Sequence, residues 1–251
     1  MILRTLFLTY AFALLSTGVA SANSYSGPVA PLGHGTAHLV LLTDAHNKPI
    51  SLSLVLDQGA LVGLPANEKK DGSEWEYLVP MPPGPNTGID HVTVDWNPHG
   101  HIPPGIYTVP HFDFHFYMID RKHQLAVAFP KQEKDPAARV TNATIIPPGY
   151  QVVPETVSDQ MGVHAINPAS PEFHNKPFTA TFIYGYYNGR LIFLEPMITR
   201  AFLRSHPNAT FRIPTPSKTS YPGYYPTTYS VHYAPAHRSY VIELGGFKHF
   251  N

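Results

Sequence analysis

Hydrophobic and polar residues alternate through several short stretches of the chain, most clearly over residues 111–116. Read in order, these are His, Phe, Asp, Phe, His and Phe. A β-strand sends successive side chains to opposite faces. A strand here places three Phe on one face and His111, Asp113 and His115 on the other. The Phe face would anchor in a core, and the other face would carry ligand or acid–base groups about 7 Å apart along the strand.

Other stretches with strand-like composition predict further strands and hairpins. Residues 178–187 and 190–195 flank the dipeptide at 188–189, Asn-Gly, which suits the type I′ turn of a hairpin. A second hairpin is predicted where a polar turn separates two apolar, β-branched runs. Residues 36–43 and 50–56 form that hairpin, residues 229–233 and 240–244 are predicted to form a closing hairpin, and residues 74–79 and 91–96 are further strand candidates.

Only short helices are expected. Residues 120–129 fit a short helix or a further strand, and residues 196–204 fit one short helix with Pro196 at its start. Residues 146–160 and 207–227 are rich in Pro and are expected to be irregular. The pattern predicts a β-rich fold, all-β or α+β, of antiparallel sheets with one or two short helices and long loops. It leaves open a sandwich, a barrel and an open α+β sheet.

The first 22 residues have the pattern of a secretory signal. Arg4 supplies a positive charge, residues 6–19 are apolar, and Ala-Ser-Ala at 20–22 fits a cleavage site. We expect a signal peptide over residues 1–22, a single β-rich domain over residues 23–251, and a secreted or periplasmic protein. No later stretch is long and apolar enough for a membrane span, so no span is expected after cleavage.

Composition narrows the chemistry. The chain has 15 His and no Cys, and its 17 Lys and Arg balance 17 Asp and Glu. Without a basic excess, nucleic acid is not an expected partner. Without Cys, disulfides and thiolate metal sites are impossible, so imidazole and carboxylate are the metal ligands that the chain offers.

These ligands suggest a metal site around the predicted strand at 111–116. Two histidines just upstream could fold back towards the strand, and a distant His and Glu could complete the shell. The candidate ligands are His99, His101, His111, Asp113, His115, His164 and Glu195. They suit a divalent metal ion, zinc first, with iron, copper or manganese as alternatives. An open position could hold a water that acts on a small-molecule ligand.

Two metal-free interpretations stay open. Asp113 could orient a neighbouring imidazole for general base catalysis, or the histidines could be a structural cluster in a non-catalytic envelope or stress-response binding protein. Covalent acyl transfer and zincin-type proteolysis are disfavoured, because the chain lacks Gly-x-Ser-x-Gly, Ser-x-x-Lys and His-Glu-x-x-His. Whether the protein is an enzyme is left open.

Three blocks resemble a known family. Residues 98–117 follow the pattern Pro-His-Gly-His-x-Pro-x-Gly-x-Tyr-x-x-Pro-His-Phe-Asp-Phe-His-Phe-Tyr. This pattern resembles the signature of an uncharacterised, mostly exported bacterial family, a domain of unknown function typified by a Thermus protein under extracytoplasmic sigma/anti-sigma control. Residues 161–164 and 183–199 are similar to its later blocks. The resemblance implies a β-rich domain and a homo-oligomer, and it supplies no reaction. Residues 165–167, Ala-Ile-Asn, depart from the aromatic and acidic residues expected after His164.

Overall fold

A computed structural model describes residues 22–70 and 74–251. Over these residues the fold is β-rich and antiparallel with two short α-helices, which confirms the predicted fold class. The strands are β1 (Asn23–Ser26), β2 (Ala30–Leu32), β3 (Gly35–Thr43), β4 (Pro49–Asp57), β5 (Trp75–Pro80), β6 (His91–Asn97), β7 (His111–Tyr117), β8 (Gln151–Ser158), β9 (Gly162–Ile166), β10 (Ala180–Tyr187), β11 (Arg190–Thr199), β12 (Asn208–Arg212), β13 (Gly223–Tyr225), β14 (Thr228–Ala234), β15 (Ser239–Gly245) and β16 (Lys248–Phe250). The helices are α1 (Arg121–Leu125) and α2 (Arg200–Arg204).

The strands form two large sheets and one small one. The first sheet has the order β1-β3-β4-β15-β14-β12, with β2 paired to β3. The second sheet has the order β5-β6-β7-β11-β10-β9-β8, and β13 pairs with β16. Strand β7 is therefore near the middle of the second sheet, where neighbouring strands hold it on both sides.

The two large sheets share one hydrophobic core. Leu39 and Leu54 of the first sheet belong to the same buried cluster as Val94 and Phe114 of the second. Aromatic rings also meet between the sheets, as where Phe182 and Tyr229 lie 5.3 Å apart. Of the three architectures that the sequence left open, the fold is thus a sandwich of two sheets.

The predicted hairpins are present. Strand β3 pairs with β4, β10 with β11 and β14 with β15, each antiparallel. The Asn-Gly turn has positive φ at both positions, 50° at Asn188 and 69° at Gly189, as a type I′ turn requires. Residues 120–129 contain the helical alternative, α1.

The prediction that residues 146–160 are irregular is wrong, because they contain β8. Pro154 lies inside this strand and cannot donate a backbone hydrogen bond. Such a residue is tolerated because β8 is the edge strand of its sheet. The pairing of β8 with β9 also changes register between Val153 and Ser158.

The helix predicted over residues 196–204 begins late. Residues 196–199 continue β11, and Pro196 pairs with Phe182 of β10. The helix α2 starts at Arg200, and the Thr199 hydroxyl caps it by accepting the backbone N–H of Phe202 at 3.1 Å. Residues 207–227, expected as coil, include β12 and β13.

The predicted signal peptide lies almost entirely outside the described residues, because they begin at residue 22. Within 22–70 and 74–251, neither helix approaches the length and apolar character required to cross a membrane.

Candidate metal centre

Strand β7 separates its side chains as the alternation predicted. Phe112, Phe114 and Phe116 are fully buried in the shared core. On the opposite face, His111 and Asp113 are 0% and 1% exposed, so the polar face is buried as well. Two imidazoles and a carboxylate inside a protein require hydrogen bonds, counter-charges or a metal ion.

Three predicted ligands meet at one end of β7 and are called the first triad: His101, His111 and Asp113. One candidate ligand atom from each lies within 4.8 Å of the others. His111 Nε2 is 3.2 Å from Asp113 Oδ1, and His101 Nε2 is 3.2 Å from Asp113 Oδ2. His101 comes from the loop before β7, so the expectation that this loop folds back is confirmed for His101.

Gly100 allows that loop to approach β7. It has a φ of 74°, and a Cβ there would lie 1.9 Å from the backbone oxygen of Tyr107. His101 then donates its backbone N–H to the same oxygen at 3.2 Å. Only glycine fits this left-handed, crowded position, and it fixes where His101 enters the site.

The other three ligands form the second triad: His115, His164 and Glu195. Their candidate ligand atoms also lie within 4.8 Å of one another. Glu195 Oε2 is 3.7 Å from His115 Nε2 and 3.9 Å from His164 Nε2. The residues come from β7, β9 and β11, so sheet pairing brings together positions that are 80 residues apart in the sequence.

The backbone around Glu195 is unusual for a central strand. The pairing of β11 with β7 skips Glu195 and Pro196 and resumes at Met197, opposite Asp113. Pro196 has no N–H, so it interrupts the ladder at this point. The same register puts Glu195 opposite His115, which explains why their side chains meet.

Backbone carbonyls orient three of the four imidazoles. The Nδ1 atoms of His101, His111 and His164 each lie 2.7 Å from a carbonyl oxygen, of Ile102, Val109 and Thr156 respectively. A carbonyl only accepts hydrogen bonds, so each Nδ1 carries a proton, and each ring offers an Nε2 lone pair to the site once its Nε2 is deprotonated. Metal-binding histidines are oriented by this type of hydrogen bond.

The fourth imidazole faces a carboxylate instead. His115 Nδ1 lies 2.7 Å from Asp95 Oδ2, as an ion pair rather than an aligned hydrogen bond. The Thr93 hydroxyl donates to the same Asp95 oxygen at 3.1 Å. A carboxylate–histidine pair of this kind would leave His115 Nε2 as the ligand atom.

Besides His115 Nδ1, four atoms of the triads are buried without a hydrogen-bond partner among the described residues: His111 Nε2, His115 Nε2, Asp113 Oδ1 and Glu195 Oε2. Their contacts of 3.2–3.9 Å exceed the ~2.7–2.9 Å of a charge-assisted hydrogen bond. Two ligands about 2.0–2.1 Å from a tetrahedral ion lie about 3.4 Å apart. The spacing therefore fits ligands that share an ion better than it fits hydrogen-bonded pairs.

Charge and burial compete in the first triad. Burial raises the pKa of Asp113, but the imidazoles of His111 and His101 outweigh it and hold that pKa well below its usual range. Burial lowers the pKa of His101, whereas the carboxylates of Asp113 and Glu74 outweigh it and raise that pKa to about 10. Without a metal, the imidazolium of His101 therefore balances the Asp113 carboxylate.

In the second triad, burial raises the pKa of Glu195 to about 8 and lowers that of His164 to about 4. His164 is thus a neutral ring with a free Nε2. Burial also lowers the pKa of His115, but Glu195 and Asp95 outweigh it and raise that pKa to about 10. A metal ion bound here would displace protons.

Two further carboxylates border the triads, and neither is among the candidate ligands predicted from the sequence. Asp95 lies opposite Asp113 on β6, and the alternation of residues 91–97 could have placed it on the polar face. Glu74 precedes β5 without any local signal, and its Oε2 is buried without a partner. Burial raises the pKa of Asp95, and burial with the charge of Asp113 raises that of Glu74.

His99 is the one predicted ligand that the structure does not bring to either triad. Its side chain is exposed, whereas His101 two residues later is half-buried against Asp113. The turn at Gly100 separates the two rings.

Both triads face one cavity of about 350 Å³ over the outer side of the second sheet. His101, Asp113, His115, His164 and Glu195 line it, while most of the remaining wall is apolar. A larger, more open groove of about 860 Å³ lies beside α2, and none of the candidate ligands lines it. We place the site in the smaller cavity because the ligand atoms are there.

Comparison with known proteins agrees with the family resemblance in part. Residues 44–96 match the family model described as TTHB210-like, hypothetical protein TTHB210. The match covers β4, β5 and all of β6 except its last residue, Asn97, and it includes Asp95. It ends before the block at 98–117. No curated protein and no solved structure matches the chain. The chain is thus similar, over these residues, to an uncharacterised family that a Thermus protein typifies, and the similarity carries no activity.

Proposed function

We propose that this protein binds two divalent metal ions, zinc in the first place, one at each triad. The observation that carries the proposal is the set of four buried, unpartnered ligand atoms on two imidazoles and two carboxylates. Zinc accepts imidazole and carboxylate ligands in a tetrahedral shell. Iron, copper or manganese are alternatives with the same donor set.

The buried charges support two ions rather than one. Four carboxylates lie in or beside the triads: Asp113 and Glu195 belong to them, and Asp95 and Glu74 border them. Buried carboxylates destabilise a fold unless they are paired or coordinate metals. Two divalent cations would balance four carboxylates and leave the imidazoles neutral, as metal ligands must be.

Each triad supplies three ligands, which leaves a position of a tetrahedral ion open to the cavity. A water at such a position is a stronger acid and a better nucleophile than bulk water. We therefore propose a metal-dependent enzyme that acts on a small molecule in the cavity. The chain's own contribution is to orient the ring nitrogens through Ile102, Val109 and Thr156 and to hold the site within an apolar wall.

The test is metal analysis by mass spectrometry of the untagged, zinc-reconstituted protein. We expect two equivalents of zinc in the wild type. His111→Ala should lose the equivalent at the first triad and His115→Ala the one at the second. His99→Ala is the matched control, because it removes an exposed imidazole near the first triad, and it should retain both. Folded wild-type protein without zinc would contradict the proposal.

The alternative is a non-catalytic envelope or stress-response binding protein with a structural cluster of histidines. The ion pairs of His115 with Asp95 and of His101 with Asp113 favour it, because protons alone could satisfy these groups. It requires that folded wild-type protein and His99→Ala contain no metal even after reconstitution.

Export and self-association stay predictions. The described fold is compatible with cleavage after Ala22, because Asn23 already pairs with Thr43 in the first sheet. We propose a secreted or periplasmic location and a homo-oligomer on the grounds given by the sequence and the family resemblance.

A further inference from the structure

The wall of the cavity around the triads is mostly apolar. Its aliphatic and thioether side chains include Ile102, Val153, Val157, Met161, Ile183 and Met197. The cavity therefore combines a cluster of candidate ligand groups with a largely apolar wall.

No Lys or Arg is among the described residues that line this cavity. Its charged groups other than histidines are carboxylates, including Glu74, Asp113 and Glu195. Phosphate and sulfate esters are usually held by arginine or lysine, and apart from the proposed metal ions this wall offers neither. A multiply charged anion is therefore a poor match for the wall.

Two exposed residues of the lining, Ile102 and Glu155, mark the side of the cavity that is open to solvent. Ile102 lines the wall and is 56% exposed, so this part of the wall reaches the protein surface. Glu155, also a lining residue, is exposed on β8. An apolar residue beside a charged one at this side of the cavity suits a ligand that has one apolar and one polar end.

We infer that the cavity binds a medium-chain aliphatic molecule with one oxygen-donor head group, the head on a triad metal and the tail along the apolar wall. This inference rests on the proposed metal binding. A volume of about 350 Å³ is at the small end of ligand sites. It holds about 12 non-hydrogen atoms at the roughly 30 Å³ that each water occupies in the liquid.

The test measures how straight-chain hydroxamic acids of two, four, six and eight carbons bind to the zinc-loaded protein by calorimetry. The hydroxamate supplies the oxygen donors, and the chain reports on the wall. Each added methylene that enters an apolar wall should tighten binding about fourfold. Affinity that does not change with chain length in protein with a full zinc content would overturn the inference and leave metal binding intact.

A variant of the wall gives the matched comparison. Val153 is half-buried in the edge strand β8, lines the cavity and lies outside the shared core. Val153→Asp should abolish the gain with chain length while two-carbon hydroxamate still binds, which also shows that fold and metal are intact. Val62→Asp, at a 50% exposed position away from the cavity, should behave as wild type.

Three results separate the two proposals. A length-dependent affinity lost only in Val153→Asp supports the ligand class. An equal loss in Val62→Asp, or an unchanged gain in Val153→Asp, overturns the assignment of the tail to this wall. Protein that takes up no zinc overturns the proposed function and this inference with it.

Discussion

At the scale of single residues, two neutral side chains on β6 support the candidate ligands and can be tested against each other. Asn97 donates to Asp113 Oδ2 at 2.8 Å, beside the first triad. Thr93 donates to Asp95, which faces His115 of the second triad. Partners of this kind typically change metal affinity 10–100-fold when they are removed.

We predict that Asn97→Ala weakens zinc binding at the first triad about 10–100-fold and leaves the second unchanged. Thr93→Val keeps the shape of the side chain. It should weaken zinc binding at the second triad and leave the first unchanged. A competition titration against a zinc-binding dye measures both steps. Equal weakening of both steps by either variant would show that the triads are not separate sites.

At the scale of the secondary-structure elements, β7 could be predicted from the sequence and β8 could not. The alternation of His, Asp and Phe determines β7 and its polar face, because a strand has a period of two residues. Pro154 argued against a strand at β8, because proline is acceptable in a strand only at the edge of a sheet. The sequence does not show that β8 is an edge strand. The choice among His99, His101, His164 and Glu195 depended on strand order and on the turn at Gly100, neither of which has a local signal.

Packing between β10 and β11 positions His115 of the second triad through the ring of Phe193. A Cβ on Gly185 would lie 1.9 Å from Cε1 of Phe193. The ring of Phe193 packs edge-on against His115, with centroids 4.8 Å apart. Gly185→Ala should therefore displace Phe193, destabilise the fold by about 1–3 kcal/mol through overpacking, and weaken zinc binding at the second triad.

Urea unfolding and zinc titration measure both effects of Gly185→Ala. The double variant Gly185→Ala/Phe193→Leu is the control, because the smaller side chain makes room for the added methyl group. It should recover part of the stability. A Gly185→Ala protein with unchanged stability and unchanged zinc binding would show that Phe193 does not position His115.

At the scale of the whole molecule, the sandwich places an apolar core on one face of the second sheet and a buried polar face on the other. Phe114 and its neighbours anchor β7 from the core side. Asp113 and His115 lie beneath the loop before β7 and the β8–β9 hairpin. This division explains how a chain without Cys can hold a rigid set of imidazoles and carboxylates: the core fixes the strands, and the covering segments bury the polar face.

The same division predicts how metal affects the stability of the whole fold. An ion that binds only the folded state at about 100 times its Kd stabilises it by about 2.7 kcal/mol. For a chain of this size, 1 kcal/mol shifts the Tm by about 2–4 °C. Zinc should therefore raise the Tm by about 5–10 °C per ion, and a strong chelator should reverse the shift.

Thermal unfolding of wild type, His99→Ala and the double variant His111→Ala/His115→Ala measures this shift in Tm. The first two should respond equally and the double variant should not respond, because it lacks a ligand in each triad. An equal zinc response in all three would assign the stabilisation to exposed histidines and remove the buried triads as its source.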